Sequence, residues 1–226
     1  DLRIEKGTES LDVRTFVATE ADLIVTEVGQ TSGGLLEALE MAVPVRRYAE
    51  MTVTYGQVDD ATFYYTGSFC PDGEDRERYE PFSFLVMTRL VGAKGSAEIT
   101  DEAVRVRLRD AGKKVTVITT VVTEEETKQL LPAALRRVSE AGSQSSRLRE
   151  THGEHWRRFW SRSSVTLPDK MLEDLWHVNL YAIAASSGKG GRMYEQACGL
   201  NGLWDIKQPT KWGSMWYWDV NIQAAF

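Results

Sequence analysis

At Thr123 the hydrophobic period of this chain changes, and that switch limits the folds it can adopt. Before it, apolar residues recur at every second position; after it, at every third or fourth. Leu11-Asp12-Val13-Arg14-Thr15-Phe16-Val17 alternates apolar and polar, the pattern of a half-buried strand. Apolar or β-branched runs at 21–28, 51–55, 62–65, 82–91, 96–100, 103–108 and 115–122 continue the theme. Turn signals stand at Asp59-Asp60, Asp101-Glu102 and Asp110-Ala111-Gly112-Lys113. About eight short strands broken by turns predict a β-sandwich over 1–122. Leu35 to Val43 fits a helix or a further strand, and Pro71 to Glu80 fits an exposed charged loop.

Beyond the switch the pattern is helical. Thr123 is placed to cap a helix whose first turn holds Glu124, Glu125 and Glu126, where the helix dipole favours acids. Leu130, Leu131, Ala134, Leu135 and Val138 follow at helical spacing, and Pro132 is positioned to divide that helix. A join at 142–145 leads to a second helix over 146–160, so 123–166 is expected to be a helical linker. Asp169 is placed to cap a third helix, opening a further domain over 167–226. Met171 to Ala185 is apolar on most faces, as in a helix buried among other helices, with Gly188 at its C′ position. The run Val220 to Phe226 has no Gly, Pro or cationic stop signal, so its element is expected to continue.

Several function classes are disfavoured. A net charge of −6 speaks against nucleic acid, which demands a basic face. No apolar run reaches the roughly 18 residues of a membrane span, and no leader can be read. Cys70 and Cys198 form no metal-type pair and read as buried apolar fillers. His152, Glu154 and His155 lack the spacing of a helical zinc site and read as a solvated helix face, while His177 reads as a hydrogen-bonded core histidine. Gly188-Lys189-Gly190-Gly191 follows a helix instead of opening one, so it is a poor phosphate cradle. No metal and no cofactor is expected.

Chemistry-bearing residues gather late in the chain. Trp204, Trp212, Trp216 and Trp218 are four of its seven tryptophans. If 216–223 is extended, Tyr217, Asp219, Asn221 and Gln223 point to one side. A phenol, a carboxylate and two amides together suit a polyhydroxylated ligand, and indole faces suit the C–H side of a sugar ring. The competing reading makes the tryptophans core packing and Asp219 a helix cap. Glycoside cleavage needs an acid and a second group, yet Glu195, Asp205 and Asp219 cannot be paired by spacing.

From His155 onward several motifs resemble glycoside hydrolase family 95, the α-L-fucosidase and α-L-galactosidase group. His155-Trp156-Arg157-Arg158-Phe159-Trp160-Ser161-Arg162-Ser163 looks like that family's linker motif. Leu175 to Ser187 is similar to its first barrel helix, and Leu200-Asn201-Gly202-Leu203-Trp204-Asp205 to its Leu-Gln-Gly-Leu-Trp-Asn. Trp212-Gly213 and Asp219-Val220-Asn221-Ile222-Gln223 resemble its Trp-x and Asn-Ile-Asn-Leu-Gln. The sandwich half matches only in general character. The resemblance implies a multi-domain β + α protein: a β-super-sandwich, of which 1–122 is the C-terminal part, then linker helices and the start of an (α/α)6 barrel. It implies an inverting hydrolase of an oligosaccharide or glycoside, whose Glu acid and activating Asp lie past Phe226. Asn221 takes the place of the amide that helps activate water. Asp219 stands where the family has Asn, and Tyr217 where fucosidases have His, which leaves the sugar open. The candidate catalytic residues are Asp219 and Asn221; the candidate substrate contacts are Asn201, Trp204, Trp212, Tyr217, Trp218 and Gln223. A related sandwich-plus-barrel phosphorylase and a non-catalytic carbohydrate-binding protein are the alternatives.

Overall fold

A computed structural model describes residues 1–19, 21–42, 51–70, 81–100 and 103–186. The chain divides into two units, Asp1–Trp156 and Arg157–Phe226.

Among the described residues, the alternating segments of the first unit form ten antiparallel strands in two sheets. The strands are β1 (Leu2–Lys6), β2 (Glu9–Val17), β3 (Leu23–Gln30), β4 (Ala38–Ala42) and β5 (Met51–Asp59), then β6 (Thr62–Phe69), β7 (Phe82–Val91), β8 (Lys94–Ile99), β9 (Ala103–Arg109) and β10 (Lys114–Thr123). The large sheet runs β1-β2-β3-β10-β7-β6-β5 and the small one β4-β9-β8. Period 2 decides which residue faces which layer. On one face of the large sheet, Tyr55, Phe63 and Leu90 pack with Val104 and Val106 of the small sheet. On the other, Leu23, Val25, Leu85, Met87, Ile118 and Val122 pack under helix α1 (Leu130–Ser143). Ala134, Val138 and Ala141 of α1 are buried, one or two turns apart on one stripe. The result is a β-sandwich with a helical layer outside it.

The open choice at Leu35 to Val43 resolves as a strand, β4, paired with β9 from Ala38↔Arg107 to Ala42↔Ala103. Strand β1 escaped the period reading because its alternation spans only five residues. Thr123 caps no helix. It still pairs with Phe84 at the end of β10, and the Glu124 amide donates to the Ser83 carbonyl, so the ladder outcompetes the cap. The acids that follow hold a turn instead. Glu126 accepts from the Thr123 amide at 3.3 Å and from Arg137 at 2.7 Å. Arg137 also donates to Thr120 Oγ1 and the Val121 carbonyl, tying α1 to the strand it follows. Pro132 divides nothing. It lies in the first turn of α1, where its missing N–H has no helical partner to lose. Cys70 is exposed, against its expected burial; Cys198 and the 71–80 segment lie outside the described residues.

One stretch of the large sheet is bare. Leu2, Ile4, Val17, Ile24 and Val121 lie on the face that the small sheet covers elsewhere, yet they are 39–60% exposed. On β1 and the first half of β2 the opposite face is polar, with Arg3 beside Glu5 and Asp12, and Arg14 beside Asp1; on β3 and β10 it carries the core under α1. An alternation this sharp is the pattern of a sheet whose apolar side has a covering layer.

The β7–β8 connection, which passes from the large sheet to the small one, turns at Gly92, where φ is 84°. A Cβ there would also meet the Lys114 carbonyl oxygen, which is main chain and cannot swing away. Gly92→Ala is therefore expected to cost about 3 kcal/mol, from left-handed strain plus overpacking. Urea unfolding followed by circular dichroism measures it.

In both units the helical reading largely holds. Helix α2 runs Ser145–Trp160 and helix α3 runs Lys170–Ser186. Asp169 caps α3 as expected, its Oδ1 accepting from the Met171 and Leu172 amides at 2.9 and 3.4 Å. Glu173 reaches back to the Leu167 amide at 2.7 Å and pairs with Lys170, whose ammonium first and that amide second hold its carboxyl below the usual range. Burial of α3 is not observed: Met171 is 73% exposed and Val178 63%, and Leu172, Leu175 and Tyr181 are exposed too. Its apolar residues point in too many directions for one neighbouring surface to cover. Among the described residues no helix is long and apolar enough to cross a membrane.

Candidate functional site

All eight candidate site residues, Asn201, Trp204, Trp212, Tyr217, Trp218, Asp219, Asn221 and Gln223, lie outside the described residues, as do Glu195, Asp205 and residues 188–191. The described part of the second unit is the segment that leads to them.

There the sequence places aromatics at helical intervals, and they meet. Trp160 and His177 have ring centroids 5.7 Å apart, Trp176 and His177 4.9 Å, and Phe159 and Trp160 4.9 Å. His177 is fixed as a core histidine would be. Its Nδ1 lies 2.8 Å from the Glu173 carbonyl one turn earlier, and its ring is part-buried between two indoles. Leu172, Leu175, Trp176, Leu180 and Ile183 line an apolar groove along α3, with Asn179 the polar residue in it. The Asn179 amide donates to the Leu175 carbonyl at 2.9 Å, so its side chain is engaged within the helix. A groove of this kind offers packing surface and no acid–base chemistry.

In the first unit one polar cleft is a feature that sequence reading missed. Arg3, Asp12, Arg14, Glu27 and Lys114 line it on the helix side of β1, β2, β3 and β10. Glu27 is buried there, 3.3 Å from Arg149 of α2 and 3.7 Å from Lys114. A buried carboxylate survives only when paired, and two cations meet that need. The signal was present: Glu27 is the one charge inside an otherwise apolar strand. A second ionic group lies near the β5–β6 turn. Burial pushes the Asp59 carboxyl up, but hydrogen bonds from the Ala61 amide, Thr62 and Arg89 outweigh it and hold the group below its usual range. Asp59 is thereby kept ionised, which suits an anchor and not a general acid. Arg89 also donates to Thr62, buried beneath it, at 2.6 Å. Each of these carboxylates faces a fixed cation, so the clusters read as structural pairings.

Among the described residues no group of His, Cys, Asp and Glu is arranged to hold a metal ion. Comparison with protein-family models gives no match, and neither does comparison with curated proteins.

Proposed function

We propose that this chain is the sandwich-to-barrel portion of an inverting glycoside hydrolase, similar to family 95 and acting on an α-linked sugar. The observation that carries the reading is α3. It is a capped helix directly after the linker, with Met171 and Val178 exposed on one side and Leu172, Leu175, Trp176, Leu180 and Ile183 along a groove on another. A helix of this kind belongs in a multi-helix layer, as the first helix of an (α/α)6 barrel would. The bare apolar strip on the large sheet is a second support, because a β-super-sandwich would continue across it. The motif order from His155 to Gln223 supplies the chemistry: an aromatic cradle, then the Asp219 carboxylate and the Asn221 amide. An amide is a poor base alone, so the reading requires a partner carboxylate and a general acid from further barrel elements.

The test uses a polypeptide that carries this chain together with the acid and carboxylate the reading requires. Aryl α-L-fucoside and α-L-galactoside are incubated with it, and the released sugar is followed by proton NMR. Release with inverted anomeric configuration and no dependence on phosphate is expected. Turnover only with phosphate would mark a phosphorylase, and glycan binding without cleavage of any linkage would sink the enzymatic reading.

A further inference from the structure

Helix α2 is held to the large sheet by very little. None of its 16 residues is buried. Its N-terminal half touches the sheet through side chains one turn apart. Leu148 packs at the margin of the core under α1. Arg149 reaches the buried Glu27 of β3 at 3.3 Å. His152 lies on the ring of Phe16 in β2, centroids 4.9 Å apart and planes tilted by 36°. Trp156 closes the other side, its ring edge-on to His152 at 6.3 Å.

The histidine is the weak member of this set. Its Nδ1 is enclosed and has no hydrogen-bond partner. A neutral ring tolerates that, because one nitrogen of neutral imidazole needs no donor role. A protonated ring does not, since it would place an N–H and a share of positive charge where nothing accepts them. The surrounding charges give little relief. His155 on the same helix is a like charge when protonated. On the sheet face beneath, the ionisable residues next in register are Arg14 of β2 and Glu27 of β3. Glu27 is already shared by Arg149 and Lys114, and Arg14 pairs with Asp1. Phe16 offers a ring face that attracts a cation, but it cannot accept the enclosed N–H in the plane of the imidazole.

We propose that His152 is a pH-sensitive latch: the neutral ring seats the N-terminal half of α2 on the sheet, and protonation releases it. Burial pulls the imidazole below its ordinary value; a hydrogen bond with the Val17 main chain pulls the other way, and His155 adds to the lowering. The sign follows. A base whose pKa is lowered by docking stabilises the docked form fully above its free value, near 6.5. That contribution is lost as pH falls from there through the docked value.

Amide hydrogen exchange at pH 7.5 and pH 5, corrected for intrinsic rates, tests this on the intact chain. Protection over 148–156 is expected to fall about tenfold for each unit by which docking lowers the pKa. Protection over β10 should hold, which separates release of the helix from acid unfolding. His152→Phe fills the same space without a titrating group and should keep α2 protected at both pH values. His155→Gln should leave the effect in place. NMR titration of the three histidine Cε1–H signals, assigned with these variants, should give His152 a midpoint below 6.5. The proposal is overturned if that midpoint is ordinary or raised, or if the parent and His152→Phe lose protection alike.

Discussion

Replacing Phe63 by alanine is expected to lower the unfolding free energy by about 3–5 kcal/mol, a large part of what a domain of this size possesses. Phe63 is 1% exposed and stands in β6 where the two sheets meet. It packs with Tyr55 and Leu90 of the large sheet and Val104 and Val106 of the small one. Among the described residues the small sheet has three strands, so few side chains bind it to the larger layer. A cavity there cannot close by collapse without moving a whole sheet, which is why the high end of the range applies. Val58→Ala, on the neighbouring strand with the valine 39% exposed, should change stability by less than about 0.5 kcal/mol. Guanidinium unfolding followed by far-UV circular dichroism separates the two variants. A loss under about 1 kcal/mol for Phe63→Ala would mean that the sheets do not share this core.

How much of this architecture the amino acids announce depends on what each element needs from the rest. Strands β2, β7 and β10 were legible because one or both faces are buried, so apolar residues had to recur with period 2 or run continuously. The cap at Asp169 was legible because it is local: one side-chain oxygen serves amides two and three residues on. Strand β1 was not, since Leu2-Arg3-Ile4-Glu5 alternates over too few residues to stand out as a period. The acids after Thr123 misled because a helix cap and a strand end draw on the same residue. Which wins is decided by Phe84 and Ser83, some 40 positions earlier. Glu27 was overlooked and His152 misjudged for a related reason. Their partners Arg149 and Phe16 are fixed only when α2 meets the sheet, and no local spacing encodes that meeting. The candidate sugar site was legible as chemistry, through a carboxylate, two amides and a phenol at alternate positions, but its geometry belongs to residues 201–223, outside those described.

Under the proposed inverting hydrolysis, the largest functional effect is expected at Asp219 and Asn221. Inversion requires that a water be stripped of its proton as it attacks the anomeric carbon, on the face opposite the leaving group. An amide orients that water through its carbonyl oxygen but takes no proton, so Asn221→Ala should lower kcat by about 10²–10³, with the partner carboxylate still present. Asp219 stands where the similar family has an amide, which gives two distinguishable outcomes. If Asp219 takes the proton itself, Asp219→Asn should lower kcat by about 10³–10⁴ and abolish the acidic limb of the kcat/KM profile, because that limb reports the base in the free enzyme. If Asp219 only grips a sugar hydroxyl equally in ground and transition states, KM rises while kcat and the acidic limb stay put. Both variants should keep the far-UV spectrum of the parent. Steady-state kinetics on the aryl glycoside that turns over, measured from about pH 4 to 9 to span both limbs, decides between them. Parent-like kcat/KM in both variants would remove these residues from the reaction and return the segment to core packing and helix capping.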